Sequence, residues 1–162
     1  MSILSVGQSA PSFSLSGIDG KSYTLNQNGA RLTLAVFFKT TCPTCQVVWP
    51  YVEKLYQAYR GAGLAVWGIS PDARDVSAEY ASKYASTVPV LLDAEWEVSR
   101  AYDPEFVPTL LLIDGNLQIV DALVGLNKAG LDHLAKTISG RLGAAPMIVA
   151  PPDDGNPVYK PG

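Results

Sequence analysis

The sequence predicts an α/β domain with a mixed central sheet and an N-terminal β-hairpin, and three observations predict it. Residues 32–38 form a nearly continuous apolar run, which is typical of a strand buried on both faces. The apolar period then changes to helical spacing over 47–59, and strands and helices continue to alternate, which favours parallel strands with right-handed crossovers. Two later strands over 109–124, joined at Gly115-Asn116, add antiparallel neighbours and make the sheet mixed.

Local signals define the individual elements. Alternating stretches on either side of Asp19-Gly20 predict the hairpin. Pro50 lies inside the first helix, and we expect it to kink that helix. The remaining predicted elements are a buried strand over 64–70, a helix marked by Val76, Tyr80 and Tyr84, a short strand over 88–92 with Pro89 near its start, a short helix around 96–102, strands over 109–114 and 117–124, and a last helix capped by Asn127.

Length and composition limit the function classes. The 162 residues suit one domain, and 48% apolar with 17% charged residues is typical of a globular chain. The net charge is −3 and no basic run occurs, so we expect no nucleic-acid partner. The apolar runs are too short to span a bilayer. Residues 1–8 lack a basic region followed by an apolar one, so we expect no signal peptide and a cytoplasmic location.

The composition changes near residue 144. Residues 1–143 hold all the periodic segments and are predicted to form the domain. Residues 144–162 contain five prolines and no clear period, and we expect them to be a flexible C-terminal tail, extended or disordered.

The chain has only two cysteines, Cys42 and Cys45, and they are three residues apart. Cys42 falls where the first buried strand ends and a helix begins, and the free N–H groups of a first helical turn stabilise a thiolate. Pro43 takes the first helical position, where its missing N–H costs little. Cys45 lies one turn further on, within reach of the Cys42 sulfur. The pattern predicts a thiol–disulfide oxidoreductase with Cys42 as nucleophile and Cys45 as resolving thiol.

This chemistry implies partners but no cofactor. The substrate would be a protein that bears a disulfide or a dithiol, and an external electron donor such as a reductase would reduce the oxidised pair again. An inert structural bridge is disfavoured because the ring is small and interrupts a helix start. Half of a zinc site is also disfavoured, because the single histidine, His133, is predicted on the solvent side of the last helix. We therefore expect no metal and no organic cofactor.

A buried strand, Cys-Pro-Thr-Cys over 42–45, Pro50 five residues later and Phe106-Val107-Pro108-Thr109 before a strand together resemble the thioredoxin superfamily. The resemblance implies a thioredoxin-like three-layer α/β/α fold. It also implies a cis Val107–Pro108 bond that packs against the cysteine pair, a Val107 backbone that pairs with an extended substrate, and supporting roles for Pro43 and Thr44 in the active site.

Residues 6–15 and 19–21 are similar to the opening of the TlpA/ResA-like branch of AhpC/TSA-related redoxins, and the resemblance covers about residues 6–142. The chain departs from these relatives at three places. Val36 stands where thioredoxin has a buried Asp, Thr41 stands where the branch commonly has Trp, and the inner dipeptide is Pro-Thr. These departures leave the reduction potential and the preferred direction open.

Two other functions compete with disulfide exchange. Peroxiredoxins carry Pro-x-x-x-Thr-x-x-Cys, but Ala35 and Lys39 stand at the Pro and Thr places before Cys42, which disfavours a thiol peroxidase. A non-catalytic binding module would instead hold a partner in the groove around Pro108. Substitution of Cys42 separates the two classes, since it abolishes exchange and leaves simple binding intact.

Overall fold

The computed structural model describes residues 4–27 and 29–162. The elements, in chain order, are β1 (Ser14–Ser16), β2 (Ser22–Thr24), β3 (Leu32–Phe37), α1 (Pro43–Tyr59) followed by a short 3₁₀ turn (Arg60–Ala62), β4 (Leu64–Ser70), α2 (Arg74–Lys83), β5 (Val90–Leu92), α3 (Glu97–Tyr102), β6 (Thr109–Asp114), β7 (Ile119–Val124), β8 (Leu126–Asn127), α4 (Lys128–Leu142) and β9 (Tyr159–Lys160).

The central sheet has five strands in the order β5-β4-β3-β6-β7. Strand β3 pairs with β4 in parallel and with β6 antiparallel, so that Ala35 lies opposite both Trp67 and Leu111. Strands β1 and β2 form a separate antiparallel hairpin. The predicted mixed sheet and N-terminal hairpin are both confirmed. The parallel part of the sheet leaves the carboxyl end of β3 beside the start of α1, where the cysteines lie.

Both faces of the sheet are buried, as the apolar run over 32–38 predicts. Alternate side chains of β3 point to opposite faces, so Leu34 and Val36 join a core with α1, α2 and α4. Ala35 and Phe37 join a second core with α3 and the hairpin. The sheet is therefore the middle of three layers, and the cysteine pair belongs to the layer that α1 forms.

Three predicted elements begin later than expected, each for a backbone reason. Strand β5 begins after Pro89, whose carbonyl oxygen accepts a hydrogen bond from Gly68 N–H at 2.9 Å but which has no N–H to donate. Helix α3 begins after Trp96 and β7 begins after Leu117, and both residues have the positive φ of the left-handed region (61° and 58°). Asn127 caps α4 as predicted, accepting from Gly130 N–H at 3.0 Å.

Residues 144–162, which we expect to be a flexible tail, are packed against α1 and α4 in the structure. Val149 and Ala150 are buried in the core of α1 and α4, and the Asp132 carboxylate accepts from both of their N–H groups at 3.0 Å. Lys128 in α4 forms a 2.6 Å ion pair with Asp154. Proline-rich composition did not exclude packing, because side chains of α1 and α4 bind polar groups of this segment.

Two further expectations concern a signal peptide and a membrane span. The expected lack of a signal peptide depends on residues 1–8, of which 1–3 lie outside the described residues. Within 4–27 and 29–162, the structure has no helix with the length and apolar character that a bilayer crossing requires.

Candidate active site

Cys42 caps the N-terminus of α1. Its backbone is extended (φ −83°, ψ 115°), and its Sγ accepts a hydrogen bond from Cys45 N–H at 3.1 Å. One of the first-turn N–H groups, which have no partner within the helix, therefore points at the Cys42 sulfur. Cys42 is partly exposed, so an incoming disulfide can reach its sulfur.

Cys45 is in the opposite environment. It is 1% exposed and belongs to the core between α1 and the sheet. Burial raises the pKa of the Cys45 thiol well above its usual range, and its hydrogen bond with Cys42 raises it further. The two cysteines are not joined in a disulfide. One sulfur is thus accessible and supported by a helix N-terminus, while the other remains a protected thiol.

The loop before β6 lies against the cysteine pair. The Val107–Pro108 peptide bond is cis, and the Cys42 thiol donates to the Val107 carbonyl oxygen at 3.6 Å. Pro108 is buried, and its own carbonyl oxygen accepts from Gly125 N–H at 2.8 Å. The structure therefore brings Val107 and Pro108 to Cys42 from 65 residues away.

Thr44, the second residue between the cysteines, is buried, and its hydroxyl donates to the Pro161 carbonyl oxygen at 2.8 Å. Pro43 occupies the first helical position, as predicted. Pro161 and its neighbour Gly162 also lie beside the site, although no sequence pattern predicted them there. Their composition gave no signal, because a short proline-rich stretch has no period that assigns it a partner.

A hydrogen-bonded turn fixes the loop from β3 to α1. The Thr40 N–H and hydroxyl both donate to Asp72 Oδ2, at 2.9 and 2.8 Å, and the Gln46 side chain donates to the Thr40 carbonyl oxygen at 3.0 Å. Asp72 comes from the loop after β4, so it joins the ends of the two parallel strands next to the cysteines. Asp72 was not among the predicted site residues, although an Asp just after a buried strand is a usable signal.

A cavity of about 260 Å³ opens beside Val107 and is lined in part by Lys39, Trp96, Arg100 and Phe106. Lys39 Nζ lies 5.1 Å from the centre of the Trp96 ring. Phe106 is 53% exposed at the rim. The cavity offers a partly apolar approach to the Val107 loop on the side of α3.

Beneath the pair, no carboxylate takes the place of the buried Asp of thioredoxin, since Val36 is buried in the apolar core. An ionisable side chain that interacts electrostatically with both cysteines is Tyr80. Its ring packs on Phe38 and Trp49. Burial, with smaller contributions from both cysteines, raises the pKa of Tyr80 above its usual range. Within 4–27 and 29–162 its hydroxyl has no hydrogen-bond partner.

The described residues form no cluster of metal ligands. No three His, Cys, Asp or Glu side chains of the described ranges are grouped closely enough to hold an ion. His133, on α4, is largely exposed. Its Nδ1 lies 3.1 Å from Oδ2 of Asp121 in β7, so its partner is not a cysteine.

The chain is similar, at low identity, to curated thiol-disulfide oxidoreductases. The chain is 28% identical over 123 residues to the thiol-disulfide oxidoreductase ResA of Geobacillus thermodenitrificans, covering 75% of this chain and 71% of that protein. It is 25% identical over 138 residues to the ResA of Bacillus thuringiensis subsp. konkukian, covering 84% and 80%.

Solved structures show the same fold. The thioredoxin domain of a thiol-disulfide oxidoreductase from Bacteroides vulgatus superposes with a TM-score of 0.74 at 23% identity, covering 83% of this chain and 99% of that one. The peroxidoxin BcpB of Mycobacterium tuberculosis superposes with a TM-score of 0.69 at 18% identity, covering 86% and 97%. The sequence model of the AhpC/TSA family matches residues 6–122, which is most of the chain. The chain therefore belongs to the AhpC/TSA family and has a thioredoxin-like fold.

Proposed function

We propose that this protein is a thiol–disulfide oxidoreductase that exchanges disulfides with partner proteins through Cys42 and Cys45. The observation that carries the proposal is the contrast between the two sulfurs. Cys42 is accessible at a helix N-terminus, whereas Cys45 is buried with its pKa raised. The curated relatives with this function support the same interpretation.

In the reducing direction, the Cys42 thiolate attacks one sulfur of the substrate disulfide. A mixed disulfide forms between Cys42 and that sulfur, the substrate bond breaks, and the other substrate sulfur leaves as a thiolate that takes a proton from water. Cys45 then gives its proton to solvent water and, as a thiolate, attacks Cys42 Sγ. The Cys42–Cys45 disulfide forms, the second substrate thiolate leaves, and the protein has given two electrons to the substrate.

The raised pKa of Cys45 orders these steps. A thiol does not attack, so Cys45 stays inactive until a base removes its proton. Cys42, whose Sγ already accepts the Cys45 N–H, is the sulfur that reacts first. An external dithiol donor reverses both steps and regenerates the reduced pair. The extended substrate is expected to pair with the Val107 backbone, which lies 3.6 Å from the Cys42 sulfur.

The structure gives no support to the peroxidase alternative, because Ala35 and Lys39 stand where a peroxiredoxin has Pro and Thr. Ala35 points into the core between the sheet and α3, on the face opposite Cys45. Lys39 lies over the Trp96 ring rather than over the sulfur. Neither residue offers a hydroxyl to a peroxide near Cys42.

Trapping of the mixed disulfide tests the proposal. For trapping, each reduced variant is incubated with insulin, whose interchain disulfides serve as the substrate, in the absence of any other thiol. Turnover of insulin is measured separately, with dithiothreitol as the donor. The Cys45→Ser variant should accumulate a covalent adduct with insulin that dithiothreitol releases, and the Cys42→Ser variant should form none and show only background turnover. Rapid consumption of hydrogen peroxide with no insulin adduct would replace the proposal with the peroxidase alternative. A cytoplasmic location stays a prediction, which cell fractionation tests.

A further inference from the structure

The end of the described chain lies along one side of the active site. We call residues 158–162 the closing segment. Its strand β9 pairs antiparallel with β8, with Lys160 opposite Leu126 and Tyr159 opposite Asn127. The Val158 carbonyl oxygen accepts from Lys128 N–H at 3.0 Å. This pairing directs the following residues toward the cis-proline loop and the cysteine pair.

The last two residues of the closing segment contact the site itself. The Pro161 carbonyl oxygen accepts from the Thr44 hydroxyl between the two cysteines. Gly162 lies so close to the Val107 carbonyl oxygen that a Cβ at this position would overlap it. Gly125 permits the approach from the other side, since a Cβ there would stand 2.9 Å from the Lys160 carbonyl oxygen and its φ of +71° favours glycine.

The closing segment is weakly held compared with the residues before it. Val158 and Tyr159 are each 62% exposed, so little apolar surface is buried there. We call residues 149–154 the anchor. The anchor is firmly held, because Val149 is fully buried and the Asp154 carboxylate accepts hydrogen bonds from both Lys128 Nζ and the Tyr51 hydroxyl. An anchored but weakly bound segment returns to its place readily, since its effective concentration at the site stays high.

We propose that the closing segment occupies the place at Val107 that an extended polypeptide substrate requires, and that it thereby determines which disulfides reach Cys42. This inference depends on the proposed function. A polypeptide must displace Pro161 and Gly162 before it pairs with the Val107 backbone. A small disulfide needs no such pairing and reaches the partly exposed Cys42 sulfur from the side of the Trp96 cavity.

Shortening the chain tests this competition. A variant that ends at Pro157 keeps the anchor and loses the closing segment. Reduced full-length and shortened proteins are mixed with excess insulin or with bis(2-hydroxyethyl) disulfide, and the loss of free Cys42 is followed by acid quench, alkylation and mass spectrometry. Loss of the few hydrogen bonds of the segment should raise the rate constant with insulin about tenfold. The rate constant with the small disulfide should change less than about twofold.

A point variant keeps the test decisive if the shortened chain does not fold. Gly162→Ala forces the last residue away from Val107, and it should raise the insulin rate selectively in the same way. Gly140→Ala is the matched control, because Gly140 is exposed in α4 with open space around it, and it should leave both rates unchanged.

The outcomes separate the two proposals. An unchanged ratio of insulin to small-disulfide rates, or a lower insulin rate, in the shortened protein and in Gly162→Ala overturns the inference while disulfide exchange stands. Absence of any Cys42 reaction with either disulfide, in every variant, overturns the proposed function and the inference with it.

Discussion

The Thr44 hydroxyl, between the two cysteines, donates a 2.8 Å hydrogen bond to the carbonyl oxygen of Pro161, which lies 117 residues further along the chain. Thr44 is buried, so this bond ties the active-site helix to the segment that covers one side of the site. The same segment contacts Val107 through Gly162. Access to Cys42 is therefore set by residues from three distant parts of the chain.

The two thiols should differ sharply in reactivity toward an alkylating reagent. Burial raises the pKa of Cys45, so at neutral pH it stays a protonated, inaccessible thiol, whereas Cys42 is partly exposed. Brief treatment of the reduced protein with iodoacetamide at pH 7 should label Cys42 and leave Cys45 unlabelled by peptide mass spectrometry. Denatured protein, as the control, should be labelled at both. Equal labelling in the folded protein would contradict the assignment of attacking and resolving thiols.

The anchor of the closing segment should loosen in acid. Hydrogen bonds from Lys128 and Tyr51 hold the pKa of Asp154 well below its usual range. Because the folded pKa lies below the unfolded value of about 3.9, this contribution is present above pH 4 and is lost as the pH falls further. Hydrogen exchange of residues 150–160, corrected for intrinsic rates, should show protection at pH 6 that declines by pH 3.

Neighbouring aspartates supply the control for the anchor. Asp154→Asn should reduce the protection of residues 150–160 at pH 6 already. Asp153→Asn should not, because Asp153 is exposed and has no ion pair among the described residues. If the two variants exchange alike, the ion pair of Asp154 does not hold the segment.

Two buried tyrosines should respond in opposite ways to loss of the hydroxyl. The Tyr59 hydroxyl donates to the Ala145 carbonyl oxygen at 2.8 Å, so Tyr59→Phe should lower the free energy of unfolding by about 1 kcal/mol. The Tyr80 hydroxyl has no partner in the described ranges, so Tyr80→Phe should leave stability unchanged or raise it by up to about 1 kcal/mol. Urea unfolding of both variants measures the difference, and a destabilised Tyr80→Phe would show that its hydroxyl is bonded in solution.

Gly68 in β4 should be intolerant of a methyl group. A Cβ there would stand 2.6 Å from the Trp49 ring of α1 and 3.1 Å from Phe38. Gly68→Ala should therefore lower the free energy of unfolding by about 1–3 kcal/mol, through overpacking under the active-site helix. Thermal and urea unfolding should show Gly140→Ala, which has open space, to be at least as stable as the wild type. Equal stability of the two variants would mean that Trp49 moves freely.

The sequence predicted the sheet well because its signals are strong and local. The apolar run over 32–38 and the change of period after Cys45 are visible without any tertiary information. The residues 144–162 could not be predicted, since their place depends on Lys128 and Asp132 of α4 and on the edge of β8. Pro161 was missed at the site for the same reason, because its partner Thr44 is 117 residues away. Asp72 was missed although its position just after a buried strand is a local signal.

The central claim is that Cys42 and Cys45 form a reversible two-electron couple, and redox equilibration tests it most directly. The full chain is equilibrated with glutathione buffers of graded ratio, and the oxidised fraction is measured by alkylation and mass spectrometry. We expect a single transition to an intramolecular Cys42–Cys45 disulfide, within the range of about −270 to −120 mV that related dithiols span. A pair that forms no disulfide even in the most oxidising buffer would contradict the central claim.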